Sequence, residues 1–193
     1  EANRAAVYYG ELTRRLAQVP GVRAVVYASF PPVRAWGATS SVGVLDTGGS
    51  VPLVQSVRNE VSPGFFRELG IAIARGREFD AQDLPGAPQV AVVNESLSRR
   101  LWGESDPLGR LVVVDEQTFT VVGVAPQRFT GMNQFVRSDF YAPLMMWPRF
   151  LNDPKARPLE DGNFRDITIK GRLKSGVRLA GARIELSVIA KNL

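Results

Sequence analysis

Residues 61–80, with the sequence VSPGFFRELGIAIARGREFD, restrict the local fold more than any other stretch of the chain. Ser62 is suited to cap a helix, because its hydroxyl can accept from an unpaired backbone N–H, and Pro63 suits the first helical position. Gly70 can adopt the left-handed conformation that ends a helix, and Gly76 can turn the strand-like segment IAIAR. The stretch therefore predicts a short capped helix feeding directly into a strand, and it carries no pattern typical of catalysis.

The two ends of the chain have mirrored patterns. A helical pattern and a β-branched strand come first, at 3–18 and 22–29, and a strand and a helical pattern come last, at 164–173 and 178–193. Strand-like segments and two short helices lie between them. This order predicts an α+β fold of two lobes, one built from both chain ends and one inserted and strand-rich.

The lobe boundaries follow from that order. Residues 1–36 and 161–193 are expected to form the first and second parts of the terminal lobe, and residues 37–160 the inserted lobe. In the second part of the terminal lobe, Ile167 and Ile169 alternate with polar residues, which predicts that both side chains point inward.

The inserted segment predicts two hairpins and a capped helix. One hairpin should turn at residues 48–49, and the other at residues 115–117 between two apolar strands. Asn94 is suited to cap the helix ESLSRRLW, which should stop at Gly103. Residues 94–96 also form a glycosylation sequon, but the capping role explains Asn94 more simply.

Two residue types are missing from the sequence, and their absence limits the catalytic and metal-binding chemistry available to it. The 193 residues include no cysteine and no histidine. Disulfides, thiol catalysis and a Ser-His-Asp triad are thereby excluded, and the commonest general base and metal ligand is absent. The P-loop, G-x-S-x-G and S-x-x-K patterns are also missing. We therefore expect a protein that is not an enzyme and has no cofactor and no transition metal.

The charge is basic but dispersed. The formal net charge is +5, and arginines occur singly or in pairs along the chain. Nucleic-acid binders concentrate such charge in a patch with aromatic residues, so we expect no nucleic-acid partner, whereas a basic surface suits anionic lipid headgroups. No apolar run reaches the roughly 18 residues that span a bilayer. A chain that begins and ends inside helical patterns is expected to be an excised domain.

Acidic and aromatic residues offer two weaker candidate sites. Glu78, Asp80 and Asp83 are the densest acidic cluster, but their spacing differs from a calcium-binding loop and favours a solvated loop. Most tryptophans and phenylalanines at such positions are expected to pack in the core. The segment YAPLMMWPRF could pack internally, face a partner or touch a membrane surface, and Phe129 and Trp147 are our candidate partner contacts.

A series of motifs resembles the periplasmic core domain of MacB-type ABC transporter permeases, the group that includes FtsX-like permeases. The motifs are, in order, VSPGFFRELGIAIARGREFD, VAVVNESLSRRLWGESDPLGR, TFTVVGVAPQRF and DFYAPL. The segments APQRFTG and LMM further resemble the duplicated permeases that lack an ATPase in the same chain. The residues assigned to the structural motif are Ser62, Pro63, Gly70, Gly76, Arg77 and Asn94.

The resemblance implies a mechanical part rather than an active site. In that family, a porter-like lobe made from both ends of the segment carries an inserted lobe. The domain lies on the periplasmic or extracellular face of the inner membrane, between two transmembrane helices that a separate cytoplasmic ATPase drives. Further partners implied are a periplasmic adaptor or a second permease copy. The family's porter-like lobe usually gains a strand after its last helix, and this sequence stops at Leu193 without it.

Two other functions fit the residues. A soluble domain could bind a small molecule in the cleft between the lobes, and a deep apolar pocket with convergent polar groups would favour that function. A carboxylate-based hydrolase could use the acidic cluster at 78–83, or Glu160 and Asp161, if two carboxyl groups faced each other about 5–9 Å apart.

Overall fold

The computed structural model describes residues 4–29, 38–44, 53–83, 86–129, 137–150, 159 and 167–180. Over these residues the elements, in chain order, are α1 (Arg4–Ala17), β1 (Val22–Ala28), β2 (Ala38–Gly43), β3 (Val54–Val61), α2 (Phe65–Leu69), β4 (Arg75–Gly76), β5 (Val90–Asn94), α3 (Glu95–Trp102), β6 (Leu111–Val114), β7 (Gln117–Ala125), β8 (Phe140–Pro143), a 3-10 helix (Leu144–Phe150) and β9 (Thr168–Leu173).

Six strands close into a ring. Neighbouring strands pair in the order β2-β6-β7-β5-β8-β3, and β3 pairs with β2 to complete the circuit. The β3–β8 and β5–β7 pairs are parallel, and the other pairs in the ring are antiparallel. The short strand β4 adds to β7 outside the ring. The strands of the ring are rich in valine and phenylalanine, whose branched or flat side chains favour the pleated backbone.

Strand β3 also connects the ring to the strands from the two chain ends. β1 pairs with the end of β3 at Ala28↔Val61, and β9 pairs with β1 along its whole length. The two segments predicted as strands at opposite ends of the sequence are therefore neighbours. The division into two lobes stays a prediction, because the boundaries at 36/37 and 160/161 lie outside the described residues.

Two apolar clusters stabilise this arrangement. The larger cluster lies among the ring strands, α2 and α3, and includes Phe119, which stacks on Phe150 with ring centroids 5.3 Å apart. The smaller cluster holds α1 and the 3-10 helix against β1 through side chains such as Leu12, Leu16 and Tyr27. Leu12 and Leu16 thus form the face of α1 that packs on β1, whereas Tyr8 on the same helix is 48% exposed.

Several local predictions are confirmed and two are wrong. The β6–β7 hairpin turns at Asp115 and Glu116, which have φ of 46° and 68° as a two-residue hairpin turn requires. The segment IAIAR is not a strand as a whole. Only its last residue, Arg75, pairs with another strand, and together with Gly76 it forms β4. Ile169 is 44% exposed although its ladder partner Tyr27 is buried, because β9 has a neighbouring strand on one side only within the described residues.

Two further predictions lie largely outside the described residues. The turn expected at 48–49 is one of them, although the strands on either side of it, β2 and β3, do pair. The helix expected at 178–193 is described as helical only at residues 179–180.

Candidate functional site

Helix α2 is enclosed by two glycines with left-handed conformations. Gly64 precedes it with φ 71° and Gly70 follows it with φ 74°. The N–H of Gly70 donates to Arg67 O at 2.9 Å and the N–H of Ile71 donates to Phe66 O at 2.8 Å. This pair of bonds is the Schellman arrangement that favours glycine, so the role predicted for Gly70 is confirmed.

The predicted cap at the other end of α2 is wrong. The helix begins at Phe65, no side chain caps it from position 64, and Pro63 lies in the turn before it rather than in its first turn. The hydroxyl of Ser62 instead accepts from the N–H of Tyr27 at 3.1 Å, across to β1. Ser62 is therefore a link between this unit and the first strand.

Glu78 satisfies the N-terminus of α2. Its Oε2 accepts from the N–H groups of Phe66 at 3.1 Å and Arg67 at 3.2 Å, and its Oε1 lies 3.5 Å from Arg67 Nη1. A carboxylate at this end of a helix also opposes the positive end of the helix dipole. One member of the predicted acidic cluster is thus a cap supplied by the segment that follows β4.

Gly76 lies where two backbones nearly touch. It has φ 75° and pairs with Gly123 of β7. A methyl group on Gly76 would overlap the carbonyl oxygen of Val122 and would lie 2.7 Å from Leu108 Cδ2. A methyl group on Gly123 would overlap the carbonyl oxygen of Arg77 in the same way. Only glycines allow β4 and β7 to approach this closely.

Arg77 and Asp83 fix the chain beyond this corner. The guanidinium donates to both carboxylate oxygens of Asp83, at 2.8 and 3.0 Å, and Asp80 N–H donates to the same carboxylate at 2.9 Å. Burial alone would raise the pKa of Asp83, but the hydrogen bonds from Arg77 and Asp80 hold that pKa below its usual range. Asp83 is 6% exposed. The loop is therefore tied by an ion pair rather than freely solvated.

The acidic cluster offers no cation site among the described residues. Each of its carboxylates has protein partners, and no group of three acidic side chains there is arranged to hold a metal ion. Glu160 and Asp161, the other acidic pair considered from the sequence, lie outside the described residues.

Asn94 caps α3, as predicted. Its Oδ1 accepts from Leu97 N–H at 2.7 Å, and its Nδ2 donates to Ser138 O at 3.2 Å and Asp139 Oδ1 at 2.8 Å. The side chain is 1% exposed, so its amide is committed to the segment before β8. Gly103 ends this helix, also as predicted.

A buried ion pair on β3 escaped the sequence analysis. Arg58 is 6% exposed and Glu60 1% exposed, and the Arg58 Nε donates to Glu60 Oε1. Arg58 also bonds Ser40 on β2 at 2.6 Å and Asp115 at 3.0 Å, and Glu60 accepts from Ser29 next to β1. The sequence does contain a signal for this pair. Residues two apart on a strand lie on the same face, and charged side chains on a buried strand require partners, so Arg58 and Glu60 could have been predicted to pair.

The two candidate partner contacts are less accessible than expected. Phe129 packs against the rings of Phe65, Phe66 and Tyr141 with centroids 5.8 to 6.2 Å apart. Trp147 is 9% exposed and belongs to the cluster under α1. Trp147 is buried because the 3-10 helix folds onto β1 and α1, and Phe129 is half-buried because it packs on α2 and β8. Contact of either residue with a partner protein stays a prediction.

A cavity of about 350 Å³ lies between the segment from the chain start and the central block. On one side are residues of α1 and β1, and on the other are residues next to α2, the Asp83 loop and the start of the 3-10 helix. The residues lining it are Tyr9, Gly10, Thr13, Val25, Tyr27, Ser62, Pro63, Ala81, Asp83, Pro143, Leu144 and Met145.

These features describe a domain of interlocked structural units, and a comparison with known families identifies its kind. The family model described as the MacB-like periplasmic core domain matches residues 2–187. The chain belongs to this family. It is therefore a periplasmic domain of the kind found in MacB-like ABC transporter permeases, as the motifs at 61–125 predict.

Relatives of this MacB-like domain are transporter proteins. The macrolide export ATP-binding/permease protein MacB of Neisseria gonorrhoeae is 33% identical over 142 residues, which are 74% of this chain and 21% of that protein. The ABC transporter permease YknZ of Bacillus subtilis is 26% identical over 88 residues, 46% of this chain and 22% of that protein. The domain thus spans about a fifth of the length of these relatives.

Solved structures share the fold of this MacB-like domain. The periplasmic region of MacB from Actinobacillus actinomycetemcomitans has a TM-score of 0.62 at 19% identity, covering 93% of this chain and 71% of that one. The extracellular domain of the transporter YknZ from Gram-positive bacteria has a TM-score of 0.63 at 16% identity, covering 93% and 83%. In the described part of this domain, every helix is too short or too polar to cross a membrane.

Proposed function

We propose that this domain is the extracytoplasmic coupling part of an ABC transporter permease. It passes movement of the permease's transmembrane helices, driven by a separate cytoplasmic ATPase, to export or to a partner protein outside the membrane. A periplasmic adaptor or a second permease copy is the expected partner. The names of its relatives, which join ATP binding, export and permease, support this class of function.

The observation that carries the proposal is the position of β1. This strand contacts α1 from the chain start, pairs with β9 near the chain end and pairs with β3 of the ring. A displacement applied at either flank of the domain therefore reaches β1 first. From β1 it reaches the ring through the Ala28↔Val61 pair and the bonds between Ser29 and Glu60.

The joints beyond β1 are suited to transmit displacement without local unfolding. Arg58 and Glu60 tie Ser29, β2 and the β6–β7 turn together, and Ser62 bonds β1 directly. Segments that open easily are those with few buried contacts and exposed backbone bonds, and these joints are buried. A coupling part needs such joints, because a segment that melts under a displacement does not pass it on.

Distance measurements between spin labels in the full permease test the proposal. This domain has no cysteine of its own, so labels at Arg15→Cys and Glu104→Cys report on it alone once any cysteine elsewhere in the permease has been replaced. The expected result is a distance between these two labels that is the same with and without ATP. A second pair of labels is placed at Arg15→Cys and at the outer end of the preceding transmembrane helix of a partner copy. The distance between these two labels should change when ATP is added. A domain that stays in place in every nucleotide state would contradict coupling.

A further inference from the structure

The cavity beside α1 is large enough to be a binding site. Its volume of about 350 Å³ is within the range of small-molecule pockets, which begin near 300 Å³. Most of its lining is apolar or aromatic, from Val25, Pro63, Leu144 and Met145 among others. Its walls come from both sides of the boundary between the two expected lobes, where the sequence analysis placed an alternative small-molecule cleft.

Gly10 is an exposed residue at the rim of this cavity, and it weakens α1. It lies in the middle of Arg4–Ala17, where glycine is about 1 kcal/mol less favourable than alanine. No steric reason requires it, since a methyl group built on Gly10 would have no atom within 4 Å outside its own helix. Its φ is also not in the left-handed region. Because Gly10 borders the cavity and has open space around it, a larger side chain there has room to cover the cavity rim.

Two hydroxyls of the lining have unused hydrogen-bonding capacity. Thr13 donates to Tyr9 O at 2.6 Å, so the Tyr27 hydroxyl, whose oxygen lies 2.6 Å from Thr13 Oγ1 and 3.3 Å from Tyr9 O, donates its one proton within this contact with α1. The Tyr27 oxygen then retains a free lone pair as an acceptor. Ser62 Oγ accepts from Tyr27 N–H, and among the described residues its own proton has no acceptor.

The cavity presents no uncompensated charge. Asp83 is the one acidic side chain in its lining, and Arg77 and Asp80 N–H hold both of its oxygens. Burial raises the pKa of Tyr9 to about 12 and also raises the pKa of Tyr27, so both hydroxyls are neutral at physiological pH. A charged ligand would lose its hydration here without gaining a counter-charge.

We propose that this cavity binds an uncharged small molecule with an apolar body and one hydroxyl group. The hydroxyl of the ligand would donate to the Tyr27 oxygen or accept from Ser62, while the body of the ligand covers Val25, Leu144 and Met145. This binding activity goes beyond the coupling function and does not depend on it. Both the open wall at Gly10 and the two unused hydrogen-bonding positions are accounted for by such a ligand.

Three matched probes test the ligand chemistry on the 193-residue chain by isothermal titration calorimetry. 1-Naphthol has the apolar body and the hydroxyl, naphthalene lacks the hydroxyl, and 1-naphthalenesulfonate carries a charge in its place. We expect saturable binding of 1-naphthol, roughly threefold to tenfold weaker binding of naphthalene, and at least tenfold weaker binding of the sulfonate. Absence of saturable 1-naphthol binding up to its solubility limit overturns the proposal, as does preference for the sulfonate.

Two variants locate the site. Gly10→Leu should obstruct the cavity and weaken 1-naphthol binding at least tenfold, whereas Ala17→Leu, at an exposed position of the same helix that does not line the cavity, should leave the affinity unchanged. Tyr27→Phe should weaken 1-naphthol binding threefold to tenfold and leave naphthalene binding unchanged, which a general loss of folding would not do. Unaltered 1-naphthol affinity in Gly10→Leu, or equal losses for both ligands in Tyr27→Phe, refutes the assignment of the site.

Discussion

Replacing Gly76 by alanine should destabilise the domain far more than the same change at Gly109. The two glycines have nearly the same positive φ, 75° and 74°. A methyl group on Gly109 has no atom within 4 Å, whereas on Gly76 it overlaps Val122 O. The pair therefore separates the cost of a left-handed alanine from the cost of forcing two backbones apart.

The magnitudes follow from the contacts around each residue. A left-handed alanine costs about 1–2 kcal/mol, and this cost applies to both variants. At Gly76 the backbone must also move away from β7, which weakens the bonds from Ala74 N–H to Val124 O at 2.8 Å and from Arg77 N–H to Val122 O at 2.9 Å. Two such bonds contribute about 1–3 kcal/mol together. We expect Gly76→Ala to be the less stable variant by about 2 kcal/mol.

Urea denaturation and thermal melting of the two variants measure this difference. For a chain of this length, a loss of 2 kcal/mol lowers Tm by roughly 4–8 °C. The melting temperature of Gly76→Ala should lie below that of Gly109→Ala by that amount. Equal losses in the two variants would show that the close approach of β4 and β7 has no energetic consequence, and the reasoning about this corner would be refuted.

Three further predictions concern the same unit. Gly70→Asn should be tolerated, whereas Gly70→Val should lower the free energy of unfolding, measured by urea denaturation, by about 1–2 kcal/mol. The reason is that asparagine adopts the left-handed conformation and valine does not. Equal losses in the two variants would contradict this prediction. Glu78→Ala should lower the free energy of unfolding by about 1 kcal/mol and reduce the hydrogen-exchange protection of α2. Ser62→Ala should cost a similar amount without reducing that protection. The reverse pattern would show that Ser62, and not Glu78, caps the helix. The pKa of Asp83 is lower in the folded protein than in the unfolded chain. The ionised carboxylate therefore contributes fully to the free energy of unfolding above the ordinary carboxyl pKa of about 4. This contribution is lost as the pH falls through the pKa of the folded state. Arg77→Gln should therefore flatten the acid-side dependence of unfolding free energy on pH, and an unchanged slope would contradict the pairing.

The features that the sequence predicted well are those whose causes lie within a few residues. The cap at Asn94, the left-handed Gly70 and the turn at Asp115 each depend on local backbone chemistry, and all three are present. The family motifs at 61–125 are likewise local, and they pointed to the family that the comparison identifies.

The features that were missed depend on contacts between distant segments. Ser62 was the candidate cap nearest to α2 in the sequence. In the structure, the corner at Gly76 brings Glu78 back to the start of the helix, and the hydroxyl of Ser62 bonds β1 instead. The partners of Arg58 come from β2 and the β6–β7 turn, which are neighbours only because the ring closes. No pattern along the chain shows which strands will close a ring. The cavity similarly appears only once α1 packs on β1.

The ring of strands has a consequence for the solubility of this domain. Each strand within the closed ring has a neighbouring strand on both sides, so it offers less template for another chain to add to than a strand at an open edge does. The outer side of β9 differs, because within the described residues its ladder is paired with β1 alone. Lys170 and Arg172 lie on this strand, and positive charges on an exposed edge oppose the stacking of copies of the same strand. Replacing both by threonine should therefore promote self-association at β9 while the ring remains folded.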